Sequence, residues 1–132
     1  MKVTAYLANA HVTPRKARLV AGLIRGLDVA QARIQLEKSI KKTSVPMLKL
    51  LESAIANAEH NFSLSSESLR IVGADVNEGQ KLKRWMPRAQ GRATPIWHRL
   101  SHISLVLEGV VAVKSVAKKK TVRPKKSSEK SE

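Results

Sequence analysis

No acidic residue occurs between Glu78 and Glu108. Within that gap, GQKLKRWMPRAQGRATPIWHRLSHI (residues 79–103) carries six cations, Lys81, Lys83, Arg84, Arg88, Arg92 and Arg99, together with both tryptophans of the chain. A segment this charged cannot enter a core, because each unpaired cation would lose its hydration without a compensating partner. The two tryptophans equally disfavour a plain solvated linker. What remains is an extended element that leaves the body and is completed by something anionic.

The pattern inside the segment gives it a shape. KLKRW and IWHRLSHI alternate locally, and MPRAQGRATP between them supplies Pro87, Gly91 and Pro95, which is the signature of two strands around a glycine-containing loop. Trp85 and Trp97 each lie six residues from Gly91. A hairpin centred there sets Trp85 opposite Trp97, Lys83 opposite Arg99 and Leu82 opposite Leu100. Pairing from about residue 76 to 107 gives a ribbon about 40–50 Å long. Such a ribbon is marginal in water alone, and surrounding phosphates would order it.

The rest of the charge is distributed unevenly. The 132 residues carry a formal net charge of +15. Residues 1–79 hold 11 basic and 7 acidic side chains, whereas residues 114–132 hold 8 basic and 2 acidic. A nearly balanced body therefore bears a basic arm and a basic tail, and a polyanion is the natural partner. VAKKKTVRPKKSSEKSE is expected to be disordered unless bound to RNA. There is no cysteine, so disulfide frameworks and thiolate chemistry are excluded. MKVTAYLANAHVTPRK lacks the apolar stretch of a secretory signal, and no run of about 18 apolar residues exists. A soluble, intracellular chain is expected.

The body reads as one α+β domain over residues 1–113, with three helices packed on a small antiparallel three-stranded sheet, the protruding hairpin and the disordered tail. Val3 to Val12 alternates as a first strand. Thr13 as cap and Pro14 at the first helical position open a helix with Ala17, Val20, Ala21 and Ile24 on its apolar stripe, stopped by Gly26. Asp28 and Gln31 have capping-box spacing for a second helix, residues 29–40, with Leu36 and Ile40 inward. Ser44 and Pro46 open a third, whose stripe is Leu48, Leu51, Ile55, Ala58 and Phe62. SLSSES is a polar turn, LRIVGADV a strand, and residues 103–113 the closing strand.

Four blocks carry a family resemblance: TPRKARLVAGLIRG (13–26), LLESAIANAEHN (50–61), VNEGQKLKRWMPRAQGRATPI (76–96) and RLSHI (99–103). Over about residues 5–108 the chain resembles the bacterial type of the large-subunit ribosomal protein L-twenty-two family. The resemblance implies a body on the outer surface of the large subunit and a hairpin passing through ribosomal RNA to the wall of the peptide exit tunnel. Arg15, Lys16, Arg18 and Arg25 fall on basic positions of the first-helix motif and would meet RNA. Lys81, Lys83, Arg84, Arg88, Arg92, Arg99 and His102 would do so along the arm. Met86, Pro87, Arg88, Ala89, Gln90, Gly91, Arg92, Ala93 and Thr94 would form the tunnel-facing tip. The implied partners are large-subunit ribosomal RNA, neighbouring ribosomal proteins and the nascent polypeptide, with no DNA and no membrane, in the cytoplasmic ribosome. The chain departs from the usual pattern at Gln90 (Arg in PRARGRA), at His98 and Leu100 (Lys and Thr in KRTSHI), at Leu27 after Arg25-Gly26, and in its two tryptophans.

Other chemistry is weakly supported. His98 and His102 on a strand stand about 13 Å apart, beyond a shared metal sphere, so no metal and no cofactor is expected. No phosphate-cradling glycine loop, nucleophile elbow or carboxylate pair occurs, and no catalytic residue is assigned. A general RNA chaperone or an RNA-processing factor is the alternative function. Trp85 and Trp97 could stack on bases or on each other, and Asn57, His60 and Asn61 could cap the third helix or touch RNA.

Overall fold

The computed structural model describes residues 1–109. In chain order it contains β1 (Lys2–Ala10), α1 (Pro14–Ile24), α2 (Val29–Lys38), α3 (Ser44–Phe62), a short 3-10 turn (Ser66–Ser68), β2 (Arg70–Pro87), a second 3-10 turn (Ala89–Gly91) and β3 (Ala93–Glu108). The three strands form one antiparallel sheet in the order β1–β3–β2. This is the α+β architecture expected from the sequence. The expected last residues of the closing strand, 110–113, and the tail, 114–132, lie outside the described residues.

β3 is central because its inner half supplies the most buried row. Ile103, Leu105 and Leu107 are fully buried, while Ser104 and Val106 between them are half-buried. β1 pairs with this half, from Lys2 opposite Glu108 to Leu7 opposite Ile103. Its own alternation, with Val3 and Ala5 inward, holds until an irregularity between Leu7 and Ala10, where Asn9 takes a positive φ of 51°. β1 ends at Ala10 opposite Ser101. From there outward β2 and β3 continue as two strands alone.

The helices cover one face of the sheet, and small residues let them approach closely. Ala17, Ala21, Ala32, Ala54 and Ala58 are all 2% exposed or less, beside Val20, Ile24, Leu36, Met47 and Leu51. α1 stops as expected. Gly26 adopts φ +81°, a conformation costly for residues with a Cβ, and its N–H donates to the Ile71 carbonyl at 2.8 Å.

Four local expectations are corrected. Neither Thr13 nor Asp28 makes a side-chain capping bond. Asp28 instead bridges Arg70, and the Val29 N–H donates to Leu69 O at 3.1 Å, so strand-like pairing with the segment entering β2 replaces the capping box. α2 ends at Lys38, and Ile40, expected inward, is fully exposed beyond the helical period. In α3, Leu51 and Ala58 are buried as expected, but Leu48, Ile55 and Phe62 lie at the half-buried edge, and Met47, Leu50 and Ala54 complete the stripe. SLSSES is not wholly polar in role: Ser63 at φ 50° turns the chain so that Leu64 is buried.

Candidate nucleic-acid interface

Beyond Gln80 the ribbon leaves the body. From Lys81 to Arg99 every residue is exposed except half-buried Leu82; the buried side chains that bracket the arm are Val76 on β2 and Leu100 on β3. About ten residues per strand project from the level of Gly79, an arm about 35 Å long. That is shorter than the sequence arithmetic gave, because the inner halves of β2 and β3 belong to the body sheet.

The register also differs. One-residue shifts occur between Ile71 and Gly73 and between Glu78 and Lys81, so the outer ribbon is symmetric about Gln90 rather than Gly91. Trp85 faces Pro95, Lys83 faces Trp97, Lys81 faces Arg99 and Leu82 faces His98. The tryptophans are therefore diagonal neighbours and not a facing pair. The offset from the expected pairing is two residues, which leaves each side chain on its original face. Gln90 (φ 58°) and Gly91 (φ 66°) make the tip, closed by Arg88 N–H to Arg92 O at 2.8 Å. Pro87 and Pro95 are tolerated because both edges of a two-stranded ribbon are open.

Like charges at Lys81 and Arg99 sit directly opposite each other, an unfavourable pair in isolation. Trp97 moderates it, with Lys81 Nζ 6.0 Å and the Arg99 guanidinium 5.8 Å from its ring centroid. The carboxylate of Glu78 reaches Lys81 at 4.0 Å. No other acidic residue lies along the arm.

α1 brings its cations alongside β2 and the arm base. Arg15 and Lys16, exposed in its first turn, share a cleft with Glu78, Trp97 and Arg99. Further along, Arg18 Nε donates to Val76 O at 3.3 Å, and Arg25 donates to Ala74 O at 2.6 Å and to Asp75 Oδ1 at 3.1 Å. These two arginines tie α1 to β2 while their outer surfaces remain exposed. Arg15 and Lys16 are thus brought beside Arg99 at the arm base, although more than eighty residues of chain separate them. His102 is different. It is half-buried where the sheet narrows, stacked on Tyr6 with centroids 5.9 Å apart, and its Nδ1 accepts the Asn9 N–H at 3.2 Å. Its first role is to hold the irregular end of β1 against the arm base.

A family profile described as Ribosomal protein L22p/L17e matches residues 5–108. The chain belongs to that family. It is 49% identical over 104 residues to the large ribosomal subunit protein uL22 of Lacticaseibacillus casei, an alignment covering 79% of this chain and 89% of the relative. It is 48% identical over 107 residues to that of Oceanobacillus iheyensis, covering 81% and 95%. With that of Lactobacillus delbrueckii subsp. bulgaricus it shares 51% over 96 residues, covering 73% and 82%.

In this family member, one cationic group escaped the sequence reading. Lys38, Lys41 and Lys42 converge with Lys16 around a shallow groove that also exposes Leu19 and Ile40. Its signal is the short run KSIKK (38–42), which lacks an acid and straddles the end of α2. Arg70 was also passed over; its Nε donates to Gly26 O at 2.9 Å, fixing the turn after α1. No helix among the described residues is long and apolar enough to cross a membrane.

Proposed function

We propose that this large-subunit ribosomal protein binds ribosomal RNA as a structural constituent, supports subunit assembly, and sends its hairpin to the wall of the peptide exit tunnel. The observation that carries the reading is the arm. Six cations stand on an exposed two-stranded ribbon, with a single carboxylate at its base and no core residue along its length. A narrow cationic ribbon of this kind gains order when phosphates neutralise it, and it can pass between RNA helices that a globular domain cannot penetrate. Arg15, Lys16, Arg18 and Arg25 extend the phosphate-binding side onto the body, joined by Lys81, Lys83, Arg84, Arg88, Arg92 and Arg99. The tip, Met86 to Thr94, then faces the nascent polypeptide. The work is electrostatic and mechanical, with no catalytic step, and its place is the cytoplasmic ribosome.

The test is sedimentation of the full chain with ribosomal subunits through a high-salt wash. Retention on the large subunit, with none on the small, is expected. Equal recovery on both subunits and on unrelated RNA would replace this reading with that of a general RNA chaperone.

A further inference from the structure

Trp97 stands at a cleft of about 500 Å³ between the arm base and the start of α1, a size within the range of small-ligand sites. Arg15, Lys16 and Arg99 line it, with Pro14 beside them and Glu78 as its one acid. Lys81 at 4.0 Å offsets that carboxylate, so the cleft is strongly cationic. Arg15 and Lys16 occupy the first turn of α1, where positive charge is unfavourable against the helix dipole; a bound anion relieves that placement.

Beyond its contacts with Lys81 and Arg99, the indole has no structural duty. Trp97 is 51% exposed, is absent from the core, and packs with no other aromatic ring among the described residues. Lys81 and Arg99 stand over its ring, both near 6 Å from the centroid, and Lys83 faces it across the ribbon. A π surface with cations over it matches a ligand that joins a planar ring to an anion, the anion drawing the cations aside as the ring takes their place on the indole. Paired bases do not present such a ring, since stacked neighbours cover their faces and the deep groove of A-form RNA is too narrow to enter. A base turned out of the stack does.

We infer that this cleft receives one unpaired nucleotide of RNA, its base stacked on Trp97 and its phosphates held by Arg15, Lys16 and Arg99. The inference rests on the reading that the chain binds RNA, and adds a defined subsite to it. Trp85 marks the contrast: it lies on the same ribbon face, 67% exposed, but farther out and outside the cleft.

Replacing Trp85→Phe in the full chain leaves Trp97 as the sole tryptophan reporter. Single-stranded oligoadenylate is expected to quench its fluorescence saturably, whereas an RNA duplex of equal length and inorganic phosphate leave it unchanged. Trp97→Leu is expected to weaken oligoadenylate binding by about 5- to 150-fold without altering the salt slope, the effect of losing one stacked base. Trp97→Phe, which keeps an aromatic face, recovers most of that loss, and thermal melts of each variant report folding. Quenching by duplex as strong as by single strand, or wild-type affinity in Trp97→Leu, overturns the subsite. If Trp97→Leu also binds a large-subunit RNA fragment with wild-type salt dependence, only the subsite falls. Absence of salt-dependent binding by the unaltered chain would instead overturn the RNA reading beneath it.

Discussion

Removing the arm should leave the body folded while taking away a fixed share of its electrostatics. The perturbation is excision of residues 81–99, with Gln80 joined to Leu100 through Asn-Gly, a pair suited to a tight hairpin turn. No core side chain is lost, since residues 81–99 contain no buried one and buried Leu100 is kept. The contacts of Trp97 with Lys81 and Arg99 leave together. The body loses one exposed ion pair, Lys81 with Glu78 at 4.0 Å, worth at most about 1 kcal/mol. Stability should therefore change by no more than about 1 kcal/mol, a Tm shift within about 4–8 °C for a domain of this size. RNA binding should change far more. Six cations disappear, and at about 0.7–0.9 per phosphate contact the slope of log affinity against log salt should fall by about 4–5. Circular-dichroism melts and filter binding to large-subunit RNA across a salt series measure both. Loss of a cooperative melt would refute the separation of arm from body. An unchanged slope would refute the assignment of the arm cations to phosphates.

Leu105→Ala removes a fully buried side chain from the central strand and should cost about 2–5 kcal/mol, read as a lower urea midpoint at constant m-value; a cost under about 1 kcal/mol would place the core elsewhere. Arg25→Ala breaks the bond to Ala74 O and the exposed pair with Asp75, for about 0.5–1.5 kcal/mol of stability. If Arg25 also meets a phosphate, the salt slope falls by about one; lost stability with an unchanged slope would confine it to tethering α1.

The parts of this protein legible in its sequence are those governed by local chemistry. The alternation of Val3 and Ala5, the Thr13-Pro14 opening and the Gly26 stop each depend on neighbours one to four residues away, and each element begins or ends within a few residues of expectation. The acid-free run identified the arm for the same reason, since no fold can bury it. What failed depended on partners far along the chain. The helix stripe of α3 includes Met47, Leu50 and Ala54 because the sheet, and not helical periodicity alone, sets which side is covered. Asp28 and Gln31 have the spacing of a capping box, yet the Leu69 carbonyl satisfies the start of α2.

The arm shows the division most clearly. Its existence, charge and approximate turn followed from residues 79–103 alone. Its register did not, because two one-residue shifts near Val72 and Gly79 moved the symmetry from Gly91 to Gln90, and a bulge is a response of paired strands that neither strand encodes separately. His102 likewise read as one more basic contact, until the narrowing of the sheet placed it between Tyr6 and Asn9. Tertiary packing alone decided that α1, more than fifty residues before the arm, would set Arg15 and Lys16 beside Arg99 and Trp97. Charge content is a sum over residues and is fixed by composition; which charges share a surface depends on how the helix crosses the sheet.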